Sequence, residues 1–225
     1  MSDLSISLIR ESGKYFELVA AITGTIFFYK YKHTCLKYFL YLLWYITFTE
    51  FFVGFAKRNE FLIYIDDSGQ LYNNWFYNLL YFILFITMYL IYLKLIKNST
   101  YKLWIKIFII SYIIISIINW SIIQNFVLDA SVLPYIIGSL FLIISVIFYF
   151  IELLKSDKIL VFHKQLLFWI SVGLLLFHTG TIPFSIEYNG YALIPGVHKL
   201  FLIISILSHI MYLIFTFGFI WSKKE

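Results

Sequence analysis

Residues 198–215 read HKLFLIISILSHIMYLIF, an almost unbroken apolar run with a histidine, His209, near its middle. A helix that crosses the hydrocarbon core of a bilayer needs about 20 predominantly apolar residues. The run and its continuation to Trp221 meet that length. An imidazole at that depth is costly unless it is paired or solvated, so it marks a place where the bundle has a polar interior.

The rest of the chain agrees with this reading. Of the 225 residues, 62% are hydrophobic and 13% charged, whereas a soluble domain carries about 25% charged residues. Seven segments are long and apolar enough to span: 15–31, 35–56, 74–96, 102–123, 133–154, 165–183 and 197–221. The fold expected is therefore an all-α membrane protein, a single domain over 1–225 built as a seven-transmembrane-helix bundle. Residues 1–14 lack the long apolar core and small-residue cleavage site of a signal peptide. The single cysteine, Cys35, excludes an internal disulfide and a cysteine-based zinc cluster. The abundance of Ile, Phe, Tyr, Lys and Asn is that of an AT-rich genome, which discounts any one tyrosine as a functional signal.

The formal charge of +5 is explained by topology rather than by nucleic acid. Lys30, Lys32, Lys37, Lys94, Lys97, Lys102, Lys106, Lys155, Lys158, Lys164, Lys223 and Lys224 fall on one side of the spans. Arg10, Lys14, Lys57, Arg58 and Lys199 fall on the other. Lysine and arginine collect in cytoplasmic loops, so the N-terminus is expected outside and the C-terminus inside, in a bacterial cytoplasmic (inner) membrane. On the outer side, Asn189-Gly190 has the sequence of a tight type I′ turn. Short β-hairpins are accordingly expected in the outer loops 57–73 and 184–196.

Six polar residues inside the spans are the candidate ligand-binding set: Glu17, Glu50, Asn78, Asn119, His178 and His209. From the helical rise of about 1.5 Å per residue, His209 lies near mid-membrane, His178 and Glu50 roughly 6–7 Å outward and the others about 10 Å outward. The inner half offers mainly hydroxyls, such as Ser111 and Ser145, that can satisfy themselves on helix carbonyls. Glu152, at the inner boundary, is expected to pair with Lys155 or reach water. Polar groups on one side of the midplane suit an outward-facing pocket better than a continuous path. On the last helix, His198, Ser205 and His209 share a face. Glu50, His178 and His209 are also the one candidate metal set, suited to zinc with an open position for water; no other cofactor is expected. Retinal is excluded because a lysine is missing from the middle of the last span; Lys199 is at its outer end and position 209 is histidine.

YFELVAAITGTIFFYKYKHTCLKYFLYLLWYITFTEFF, residues 15–52, and HIMYLIFTFGFIWSKKE, residues 209–225, resemble stretches of small, uncharacterised bacterial seven-helix membrane proteins. More loosely, the chain is similar to the bacterial seven-helix sensory modules that are fused to kinases or cyclases. That resemblance implies a sensor or receptor-like module. The cytoplasmic loops are short, so output is expected to need a membrane-bound signalling partner. A small-solute transporter and a metal-dependent intramembrane hydrolase using Glu50, His178 and His209 are the alternatives. The lipid bilayer is the one partner that composition itself requires. The oligomeric state is open.

Overall fold

A computed structural model describes residues 3–65, 71–186 and 198–224. Among the described residues there are seven α-helices: α1 (Asp3–Ile26), α2 (Lys37–Asn59), α3 (Asn74–Leu95), α4 (Ser99–Ile118), α5 (Val132–Leu154), α6 (Leu166–Ile186) and α7 (His198–Trp221). Six of them, α2 to α7, are long and apolar enough to cross a membrane. The protein is thus a multi-pass helical membrane protein.

The first helix differs from expectation. It begins at Asp3 and stops at Ile26, and the rest of the expected segment 15–31 folds into a turn of 3₁₀ helix, Phe28–Lys30. Arg10, Glu11, Lys14 and Glu17 hold α1 below the apolarity of its neighbours. Its polar and apolar residues nevertheless separate by face. Glu17 is buried against the bundle, while Tyr15, Val19, Ile22 and Ile26, spaced by three and four, are exposed on the other side.

Neighbouring helices pack in a ring, α1 on α2, α2 on α3, α3 on α5, α5 on α6, α6 on α7 and α7 back on α1. Helix α4 lies outside that ring against α3 and α5. Its outer face, Leu103, Ile107, Ile110, Ile114 and Ile117, is exposed at helical spacing and meets lipid. Small residues let the ring close tightly, as in other membrane bundles. A Cβ at Gly173 would come within 2.6 Å of the Phe215 ring, and one at Gly218 within 2.6 Å of Trp169.

Helix ends are fixed by specific partners. Asn98 caps α4, its side chain accepting from the Thr100 and Tyr101 N–H groups at 2.9 and 3.2 Å. Glu152 from α5 accepts from the Lys97 and Asn98 N–H groups at 2.9–3.1 Å. Its role is therefore to hold the α3–α4 turn, where sequence pointed to Lys155 or water. Lys30 donates to the carbonyls of Phe219, Ile220 and Ser222 at 3.0, 2.8 and 2.7 Å, placing a cation on the negative end of α7.

In the loop after α2, Tyr64 pairs with Tyr72 and Ile65 with Leu71 in an antiparallel two-residue ladder. The Trp75 indole donates to the Leu62 carbonyl at 3.1 Å and ties that loop to α3. The second expected hairpin, 184–196, begins as helix, since α6 continues to Ile186; its remainder lies outside the described residues.

Candidate functional site

A cavity of about 250 Å³ lies inside the ring. Five helices line it, each with one face at three- and four-residue spacing. Helix α1 contributes Gly13, Lys14 and Glu17; α2 contributes Phe39, Leu43, Ile46 and Glu50; α3 contributes Tyr77, Tyr81, Leu84 and Met88. Helix α6 adds Leu174, Phe177 and His178, and α7 adds Ser205, Ser208, His209, Tyr212 and Phe215. Four of the six residues picked from sequence, Glu17, Glu50, His178 and His209, therefore line one space.

The cavity is polar at one end only. Lys14 and Glu17 lie midway along α1, Glu50 in the second half of α2 and Tyr77 in the first turn of α3, toward the side away from most lysines. The Tyr77 hydroxyl donates to Glu50 Oε2 at 3.3 Å. Lys14 and Lys57 also stand within electrostatic reach of Glu50. Glu17 is deeper, 8% exposed. The Tyr212 hydroxyl and Glu50 stand within its electrostatic reach. The Glu17 Oε2 is buried without a hydrogen-bond partner. A buried polar atom left unpaired costs about 1–3 kcal/mol, more for a charged group.

The two histidines do different things. His209 stacks on Phe16 of α1, ring centroids 4.4 Å apart, and its Nε2 is 3.2 Å from Ser12 Oγ. The single Ser12 hydroxyl hydrogen is committed to the Ile9 carbonyl at 2.7 Å, so His209 donates through Nε2. Its direct partners thus come from α1, where sequence reasoning pointed to α2 and α6. The α6 histidine, His178, is buried; its Nδ1 meets Ser139 Oγ of α5 at 2.9 Å. Phe85, Tyr135 and Phe177 surround its ring. Among the described residues no group of three or more His, Cys, Asp or Glu side chains is placed to hold a metal ion. The expected set of Glu50, His178 and His209 lines a common cavity but does not form a ligand cluster.

Asn78 and Asn119 are not in the cavity lining. Asn78 stitches the α4–α5 loop to α3: Nδ2 donates to the Phe126 and Asp129 carbonyls at 2.8 and 2.9 Å, and Oδ1 accepts from the Ser131 N–H at 2.9 Å. Asn119 opens a π turn, Asn119–Ile123, and donates to Gln124 Oε1 at 2.9 Å. Asp129 closes its own loop, its Oδ2 accepting from the Asn125 N–H at 2.8 Å. The His198 side chain lies outside the described residues.

The other end of the cavity is closed by aromatic rings. Phe39 meets Phe215 edge-on at 5.1 Å, and Phe219 packs beside Phe39 and Tyr31 at 6.1 and 5.5 Å. Beyond them stands the Lys30 clamp on α7. Tyrosines 77, 81 and 212 were missed from sequence because tyrosine is so common in this chain. The available signal was the spacing Tyr77, Tyr81, Leu84, Met88, which places two hydroxyls on the same face of α3 as two apolar groups.

No family model, curated protein or solved structure matches this chain.

Proposed function

We propose that the protein is a membrane sensor, a receptor-like module that binds a small molecule in the ring cavity and signals through a partner protein. The observation that carries this reading is the form of the cavity. It holds two carboxylates and His209 at one end and is closed by Phe39, Phe215 and Phe219 at the other. A site open to one side, with a packed floor, suits recognition. Ligand binding shifts a receptor only if it favours one packing of the bundle over another. Such a change would travel through α2 and α7, which line the cavity and meet the segment after α1 again at the Tyr31–Phe39–Phe219 cluster and Lys30.

In this reading α1 is the seventh span, with its charged residues turned inward and its apolar face on lipid. The N-terminus is outside, the lysine-rich side is cytoplasmic, and the membrane is the bacterial inner membrane, in keeping with the positive-inside rule. The antiparallel pair Tyr64–Ile65 and Leu71–Tyr72 follows the end of α2, on the side that carries Glu50, and in this reading would form part of the cavity's roof. The short cytoplasmic connections bring the partner close to the helix ends, where Lys97, Lys164 and Lys223 stand.

Filling the cavity tests the reading. In the source organism a deletion and a Ser208→Trp variant are expected to alter the same set of transcripts, with the variant still present in the membrane at the wild-type level. A transcript profile untouched by the filled cavity would sink the sensor reading. Uptake into proteoliposomes of a solute that thermally stabilises the purified protein would replace it with transport.

A further inference from the structure

The chemistry of the polar end restricts what the cavity can hold. Two carboxylates face it, and they are not equally compensated. Glu50 has the Tyr77 hydroxyl and the charges of Lys14 and Lys57. The Lys14 ammonium itself lies over the rings of Tyr15 and Phe51, 5.4 and 5.9 Å from their centroids. Glu17 has the Tyr212 hydroxyl within electrostatic reach, and its Oε2 is buried without a hydrogen-bond partner. A group that brings positive charge and more than one N–H donor answers both needs, since it satisfies the open oxygen and separates two like charges.

The remainder of the cavity is apolar and aromatic, with Leu84, Met88, Phe177 and Phe215 below the carboxylates. The volume of about 250 Å³ also limits size. A cavity of about 150 Å³ takes up one benzene ring, so this one accommodates a ring with a short chain. An inorganic cation would leave that apolar space unfilled, and an anion would meet two carboxylates.

We propose that the ligand is a small organic cation, a primary ammonium on an aryl-alkyl body. Its nitrogen sits between Glu17 and Glu50 and its ring points toward Met88 and Phe215. The aromatic walls suit the cation as well, because ring faces attract positive charge. This inference rests on the reading of the cavity as a ligand site.

The test uses the full chain in detergent, with three probes of one shape and different charge: 2-phenylethylammonium, 2-phenylethanol and 3-phenylpropionate. Calorimetric titration is expected to give binding of the ammonium about tenfold or more tighter than the alcohol, as a charge-assisted hydrogen bond requires. Glu17→Gln and Glu50→Gln are each expected to reduce that preference, lowering the affinity of the ammonium more than that of the alcohol. The alcohol also serves as the check that each variant is folded. Equal affinity for ammonium and alcohol overturns the cationic assignment but keeps the cavity as a ligand site. Preference for the propionate assigns the site to an anion held by Lys14 and His209, and overturns it too. Thermal stabilisation by sodium over caesium chloride, with no response to the ammonium, gives the carboxylates to an inorganic cation. Binding of none of the probes, together with an unchanged profile in the Ser208→Trp strain, removes both the ligand class and the sensor reading.

Discussion

At the scale of single residues, the intramembrane polar groups divide into those that build and those that face open space. His178 belongs in part to the first kind. It is 2% exposed, with its Nδ1 on Ser139 and aromatic rings around it. Ser139→Ala is expected to strand that nitrogen and to destabilise the protein by about 1–3 kcal/mol. Thermal unfolding in detergent measures it, with Ser185→Ala as the control, since the Ser185 hydroxyl serves only a carbonyl of its own helix. Equal midpoints for wild type and Ser139→Ala would mean that His178 draws nothing from this bond. From sequence the ionisable residues were visible as costly and hence as candidates, and four of the six share the cavity. What sequence could not supply was the partner of each. Asn78 and Asn119 have the same composition signal as Glu17, yet both are spent on the ends of the α4–α5 connection. The difference is a matter of which loop folds back over which helix, and no local pattern encodes that.

At the scale of elements, the clearest device is Lys30. Read along the chain it is one of many lysines that set orientation. In the structure its three donors meet three carbonyls at the end of α7, so a residue after α1 closes a helix almost two hundred positions away. Lys30→Met keeps the length of the stem and removes the charge. It is expected to cost about 1–2 kcal/mol and to raise hydrogen exchange across residues 218–222. Lys32→Met, at an exposed position on the same turn, is expected to do neither. Equal exchange in the two variants would show that the clamp does not hold the helix end. Spans α2 to α7 were readable because their apolar runs are long, and their ends moved by only a few residues. Helix α1 was the difficult one. Its hydropathy averages an apolar face and a charged face that only packing separates, and its start at Asp3 lies well before the segment that looked apolar.

At the scale of the whole molecule, a ring whose first and last helices touch fixes the side on which every loop emerges. If α1 crosses the membrane, Leu8 and Lys32 lie on opposite sides of it. Both positions are exposed. In a Cys35→Ser background, Leu8→Cys is expected to react with an impermeant maleimide added outside cells, and Lys32→Cys only after the membrane is opened. Labelling of both from outside would leave α1 lying along the surface and reduce the number of spans to six. The same experiment decides whether Glu17 is held in the membrane at all, because Glu17 sits between those two positions.

The contact between α1 and α7 also has a meaning for biogenesis. Helix α1 is made before α7, and as a span it would be the helix least able to stay in lipid alone, since Glu17 and Lys14 have no favourable place in hydrocarbon. The face of α7 that carries His209 and Tyr212, and so receives Phe16 and Glu17, is synthesised after the other six helices. Until it arrives, the first helix has no stable seat. If α1 crosses the membrane, the ring therefore closes only after α7 has been made, and a chain stalled before α7 would present an unshielded carboxylate to lipid, a signal on which membrane quality control can act.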